Sequence, residues 1–172
     1  MKKSLAVCVL VISSFYLQGC VSSATTANMI NSQNLYAGNN GLAKKISVTT
    51  VEVDNTPLLA SQVGPSELES ALKASLKASN LLAPSQGVYV LNSKLLGLNQ
   101  PAFGLDMTVT AHIKYELKDA ASKVSLMDKI ISASYTATIS DAFVGVKRLK
   151  IANEGAIRNN FAELIKELSE LR

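Results

Sequence analysis

Apolar and polar residues alternate most regularly between Leu105 and Leu117. Leu105, Met107, Val109, Ala111, Ile113, Tyr115 and Leu117 are interleaved with Asp106, Thr108, Thr110, His112, Lys114 and Glu116. A period of two held this long predicts a strand with one buried face and one wet face. Asp119 to Ser122 makes a short hairpin loop, and Lys123 to Ile139 is the returning strand. Pairing Lys118 with Lys123 sets Leu117 opposite Val124 and Tyr115 opposite Leu126. Further along, the apolar positions are Ile131, Ala133, Tyr135, Ala137 and Ile139, one step out of phase. One extra residue near Met127–Ile130 restores the phase, with Tyr135 opposite Met107 and Ala133 opposite Val109. The spacing therefore predicts a β-bulge there, because a one-residue slip turns a strand's buried face outward.

The remaining elements follow from the same reading. Ile46 to Val53 is β-branched and predicts a first strand, ended by Asn55, Thr56 and Pro57. Pro65 opens a helix in which Ser66 and Glu69 suggest a capping box. Leu68, Leu72 and Leu76 recur at spacing four, Glu69 and Lys73 stand at i, i+4, and the helix is expected to stop near Asn80. Val88 to Leu98 predicts a second strand. A last amphipathic helix, starting between Lys147 and Asn153, carries Ile157, Phe161, Leu164, Ile165, Leu168 and Leu171 on one stripe. The order predicts an α+β fold: an antiparallel four-stranded sheet with two helices packed on one face. Residues 46–172 form this single domain. Residues 20–45 are rich in Ser, Thr, Asn and Gly and are read as a flexible tether, ordered locally near Leu35 and Tyr36.

The first nineteen residues read differently. Lys2 and Lys3 precede an apolar run from Leu5 to Tyr16, too short to span a bilayer but of signal-peptide length. Leu17-Gln18-Gly19-Cys20 then resembles a lipobox. That resemblance implies a diacylglyceryl thioether on Cys20, cleavage between Gly19 and Cys20, and acylation of the new amine. Several acyl chains on one residue make attachment effectively permanent, since each buried methylene contributes about 0.8 kcal/mol. Val21 stands where an aspartate would resemble an inner-membrane retention signal. The expected location is therefore the periplasmic face of the outer membrane.

Charge and composition narrow the chemistry. Lys2 and Lys3 supply two of the formal net charge of +4, so the exported domain has no basic surface suited to phosphate backbones and no nucleic-acid partner is expected. Cys8 leaves with the signal and Cys20 carries lipid, which excludes an internal disulfide. With one histidine and no free thiol, no metal site and no cofactor are expected.

Several stretches in the second half resemble a family of small Gram-negative envelope lipoproteins. They are Asn99-Gln100-Pro101, Phe103-Gly104-Leu105-Asp106-Met107-Thr108-Val109-Thr110, Tyr135-Thr136-Ala137-Thr138, Ser140 to Leu149, and Ala152-Asn153-Glu154-Gly155. The resemblance spans roughly residues 46–165. Some members carry the name UDP-N-acetylglucosamine acyltransferase. Enzymes of that activity are built on hexapeptide-repeat β-helices, whereas this chain has no such repeat. The element order is also similar to the lipoprotein subunit of the lipopolysaccharide-assembly translocon, a likeness of architecture alone.

The residue inventory offers few catalytic groups. His112 is the only histidine and lies on the polar face of its strand, where a solvated side chain is expected. Asp106 and Asp141 would form a carboxylate pair only if strand ends converge, and Asp141 reads as a turn residue. No Gly-x-Ser-x-Gly elbow occurs. The segment Ala142–Lys150 stands apart because it reads as a connection yet sets Phe143, Val144, Val146 and Leu149 beside Lys147, Arg148 and Lys150. Two alternatives follow: Phe143 and Val146 plug the core, or Phe143, Val144, Val146, Lys147 and Arg148 contact a partner, either an envelope protein or an anionic lipid or glycan. The expected function is a non-enzymatic binding or assembly-assisting lipoprotein. An enzyme acting on envelope glycan or lipid and a purely structural lipoprotein are the rival readings.

Overall fold

The computed structural model describes residues 23–33, 41–54 and 63–171. The signal segment, Cys20, Leu35, Tyr36 and Asn55 to Pro57 lie outside the described residues. Among the described residues the elements run α1 (Thr26–Met29), β1 (Ile46–Val53), α2 (Pro65–Ala78), β2 (Tyr89–Asn99), β3 (Met107–Asp119), β4 (Ser125–Ala137) and α3 (Gly145–Glu170). The strands form one sheet in the order β1-β2-β3-β4. The fold is α+β, as the patterned segments predict. β2–β3 and β3–β4 are antiparallel, whereas β1 and β2 run parallel. The parallel pair follows from α2, which lies in the connection between β1 and β2. A connection of that length carries the chain back along the sheet before the next strand begins.

The alternation in β3 sorts its two faces as predicted. Met107, Val109, Ala111, Ile113, Tyr115 and Leu117 are buried. They join Leu68, Leu72 and Leu76 of α2 and Ile157, Phe161, Leu164 and Leu168 of α3 in one core. α3 lies on β3 and β4, and α2 lies on β1. One polar group crosses this layer. Buried Asn160 donates to the carbonyls of Ala111 and Ile131 at 3.1 and 2.8 Å, and accepts from the Tyr115 hydroxyl at 2.8 Å. Burial pushes the Tyr115 phenol well above its ordinary range, so it remains the donor this network needs.

The predicted bulge is present but lies closer to the hairpin. Lys118 pairs with Ser125 and Leu117 with Met127, so Leu126 is the extra residue. The register beyond it sets Tyr135 opposite Val109 and Ala133 opposite Ala111. The turn decides this: Asp119 accepts from the amides of Ala121 and Ser122, and Lys123 takes a φ of 62°. The hairpin therefore closes with Asp119 and Val124 facing each other, the Asp119 amide donating to the Val124 carbonyl. Two further register shifts, at Val48/Thr50 and Leu95/Gly97, change the phase of β1 and β2.

α2 begins differently from the capping-box expectation. Pro65 occupies the first turn with Gly64 before it, which places Ser66 inside the helix, where its hydroxyl meets Glu67. Glu69 and Lys73 do form the expected i, i+4 pair. Residues 24–31 depart further from expectation, since they belong to the domain and not to a tether. Ala24, Met29 and Asn31 are buried. The Thr25 amide donates to Glu154 at 2.6 Å, Asn28 Nδ2 to the same carboxylate at 2.8 Å, and the Asn31 amide to Ser75 at 2.9 Å. Composition suggested flexibility, but buried Met29 and the carboxylate of Glu154, itself 2% exposed, fasten the segment against α3.

Candidate functional site

At the end of the sheet where β3 begins, two loops meet the start of α3. One joins β2 to β3 and the other joins β4 to α3. Arg148, in the first turn of α3, links them. Its Nη1 donates to the carbonyls of Ala142 and Phe143 at 2.7 and 3.1 Å, and its Nη2 to the carbonyl of Gly104 at 3.2 Å. A cation in a helix's first turn opposes the helix dipole by about 0.3–1 kcal/mol. Three charge-assisted bonds to backbone oxygens outweigh that term.

Neighbouring groups fix each loop. Gln100 Nε2 donates to buried Asn153 at 2.9 Å, tying the first loop to α3. The Asp141 carboxylate accepts from the amide and hydroxyl of Thr138 at 2.7 and 3.0 Å. Those bonds hold its pKa below the usual aspartate range. Gly104 takes a φ of 155°, and a Cβ there would stand 2.9 Å from the Asp106 carbonyl oxygen, so a side chain at that position is strained.

This framework leaves large apolar side chains facing water. Phe103 and Phe143 are each 87% exposed, Leu105 is 73%, Val146 is 62% and Val144 is 54% exposed. The core-plug alternative for Phe143 and Val146 is thereby overturned. Two further expectations change. Gly145 to Lys150 is the opening of α3 rather than a connection. Arg148, only 5% exposed, is the staple beneath the surface, its guanidinium turned to the two loops rather than to solvent. Lys147 remains exposed beside Val146. Phe103 and Leu105 escaped the sequence reading because Leu105 fits the alternation of β3, yet the strand starts only at Met107. The aromatic beside Gly104, between Pro101 and the strand, is the signal that marks them.

The other candidates lie elsewhere. His112 sits on the polar sheet face as expected, with Ser132 Oγ 2.7 Å from Nδ1 and Asn99 Nδ2 3.1 Å from Nε2. Both ring nitrogens thus meet neutral partners, a hydroxyl and an amide. Asp141 is turned to Thr138 rather than toward Asp106. A shallow hollow on the polar face is lined by Glu52, Asn92, Lys94, Lys114 and Glu116. Its charges are already committed: Lys94 to Asp54, Lys114 to Asp128, and Glu116 to Lys118. Among the described residues no cluster of His, Cys, Asp and Glu is arranged to hold a metal ion, and no helix is long and apolar enough to cross a membrane.

The chain matches no family model and no curated protein. Its architecture recurs in solved bacterial proteins. A Xanthomonas campestris protein of the DUF330 family aligns with a TM-score of 0.56 at 12% identity, over 76% of this chain and 88% of that one. A hypothetical protein from Chlamydia trachomatis aligns at 0.54 and 12% identity, over 75% of this chain and 98% of its own. A Caulobacter crescentus protein put forward as a lipoprotein aligns at 0.51 and 14% identity, over 75% and 90%. They share its fold. The stretches carrying the envelope-lipoprotein resemblance converge at this same end. Gln100 meets Asn153, Gly104 and Phe143 meet Arg148, and Tyr135 packs on Gly155.

Proposed function

We propose that this chain is a Gram-negative envelope lipoprotein, anchored through Cys20 at the periplasmic face of the outer membrane, that works by binding rather than by catalysis. Its working surface is the apolar end formed by Phe103, Leu105, Phe143, Val144 and Val146. The observation that carries this reading is the exposure of two phenylalanines on loops locked by Arg148. A monomeric domain rarely shows a contiguous apolar patch without a contact to make. Rigid support makes the patch a preformed surface rather than a loose loop. The lipobox-like Leu17-Gln18-Gly19-Cys20 supports the anchor.

Mass spectrometry of the protein purified from membranes tests the anchor. The N-terminal peptide should begin at Cys20 and carry a diacylglyceryl thioether, and Cys20→Ser should accumulate as the unprocessed precursor. An unmodified N-terminus at or beyond residue 20 would overturn the reading.

A further inference from the structure

Resting on that anchored reading, we infer that the apolar end seats on the bilayer itself, so the domain lies against the membrane that holds its lipid. The first observation is the path of the N-terminal segment. Arg158 Nη1 donates to the Asn28 carbonyl, and Thr25 donates to Glu154. Asn28 Nδ2 meets the same carboxylate, whereas Asn31 to Gln33 lie beside Arg158 and Ala162, so from Gln33 back to Thr25 the chain passes along α3 toward the helix's N-terminus. Five residues separate Thr25 from Cys20, and an extended chain advances at most about 3.5 Å per residue, or about 17 Å in all. Val146 lies eight residues before Glu154 on α3, about 12 Å at 1.5 Å per residue. A leash of that length can reach the level of Phe143 and Val146 with little chain to spare, and no farther.

The second observation is what that end presents. Phe103, Leu105, Phe143 and Val144 project from two loops held by one guanidinium, and Val146 from the first turn of α3 beside them. Exposed aromatic and branched aliphatic side chains on a rigid edge suit the boundary between head groups and acyl chains. Lys147 is the exposed cation beside them, while Asp106 and Asp141 are exposed anions of the same end. The charges are mixed, so apolar insertion carries the contact, with Lys147 free to extend its ammonium toward head groups. The opposite end of the sheet also exposes apolar residues, Val88, Val124 and Leu126. It lies a full strand away, about 40 Å for the length of β3, beyond the reach of so short a leash.

The chain contains no tryptophan, so single reporters can be placed at either end. Full-length, lipidated F143W and V124W are reconstituted into vesicles of phosphatidylethanolamine and phosphatidylglycerol. F143W emission should shift to the blue and be quenched by lipids brominated along the acyl chain. V124W should keep its aqueous emission and remain open to acrylamide. Lipid on Cys20 with F143W still in water overturns the inference and leaves the anchored reading standing. Absence of lipid on Cys20, by mass, overturns both. A blue shift in F143W without quenching by brominated lipid places the ring against a second protein molecule, which also overturns the inference, as does insertion of V124W instead.

Discussion

Arg148 shows how much one side chain decides. Sequence assigned it to the surface because arginine in a mixed basic and apolar stretch is ordinarily solvated. The fold buries it and uses its planar fork to hold three carbonyls from two loops. Lysine has no such fork and cannot reproduce that geometry. Arg148→Met keeps the stem and removes the donors, so it should cost about 2–3 kcal/mol, the range for carbonyls that lose charge-assisted partners. Thermal unfolding followed by circular dichroism measures this. A loss below about 0.5 kcal/mol would mean the loops hold themselves.

At the scale of elements, the packing of α3 on β4 turns on Gly155. A Cβ at that position would run into the Tyr135 ring, whose other neighbour is the Arg158 guanidinium 5.4 Å from its centroid. Helix propensity favours alanine over glycine by about 1 kcal/mol. Overpacking against a fixed ring costs about 1–3 kcal/mol. Gly155→Ala should therefore destabilise the protein despite its better propensity, and Tyr135→Leu introduced with it should recover most of the loss. Chemical denaturation of the two variants measures both effects, and a more stable Gly155→Ala would refute the close packing. The helix stripe of α3 was readable from Ile157 onward. Its opening at Gly145 was not, because Val146, Lys147 and Arg148 give no amphipathic signal before their surroundings are known.

The whole molecule is organised around where its N-terminal segment docks. Glu154 is buried and takes donors from Thr25 and Asn28. It converts what composition marks as a tether into part of the domain. Glu154→Ala should release residues 25–29, seen as faster amide exchange there while the amides of β3 stay protected. Unchanged protection at Thr25 to Met29 would show that Met29 burial alone fixes the segment. In the lipidated protein the same variant lengthens the free leash, and F143W quenching by brominated lipid should weaken with it.

The alternation of β3, the β-branched run of β1, the leucine spacing of α2 and the stripe of α3 were legible because each is a local periodicity. Local periodicity reports which face of an element is buried. The α+β class and the element order followed from them. The direction of β1 relative to β2, the place of the bulge and the partners of Arg148, Glu154 and Asn160 were set by contacts between residues far apart in the chain. The same holds for the apolar end, where Phe103 and Phe143 lie forty residues apart and carry no mark of shared purpose in one dimension. Only when the sheet brings Gly104 and Phe143 to one guanidinium do they become a single surface.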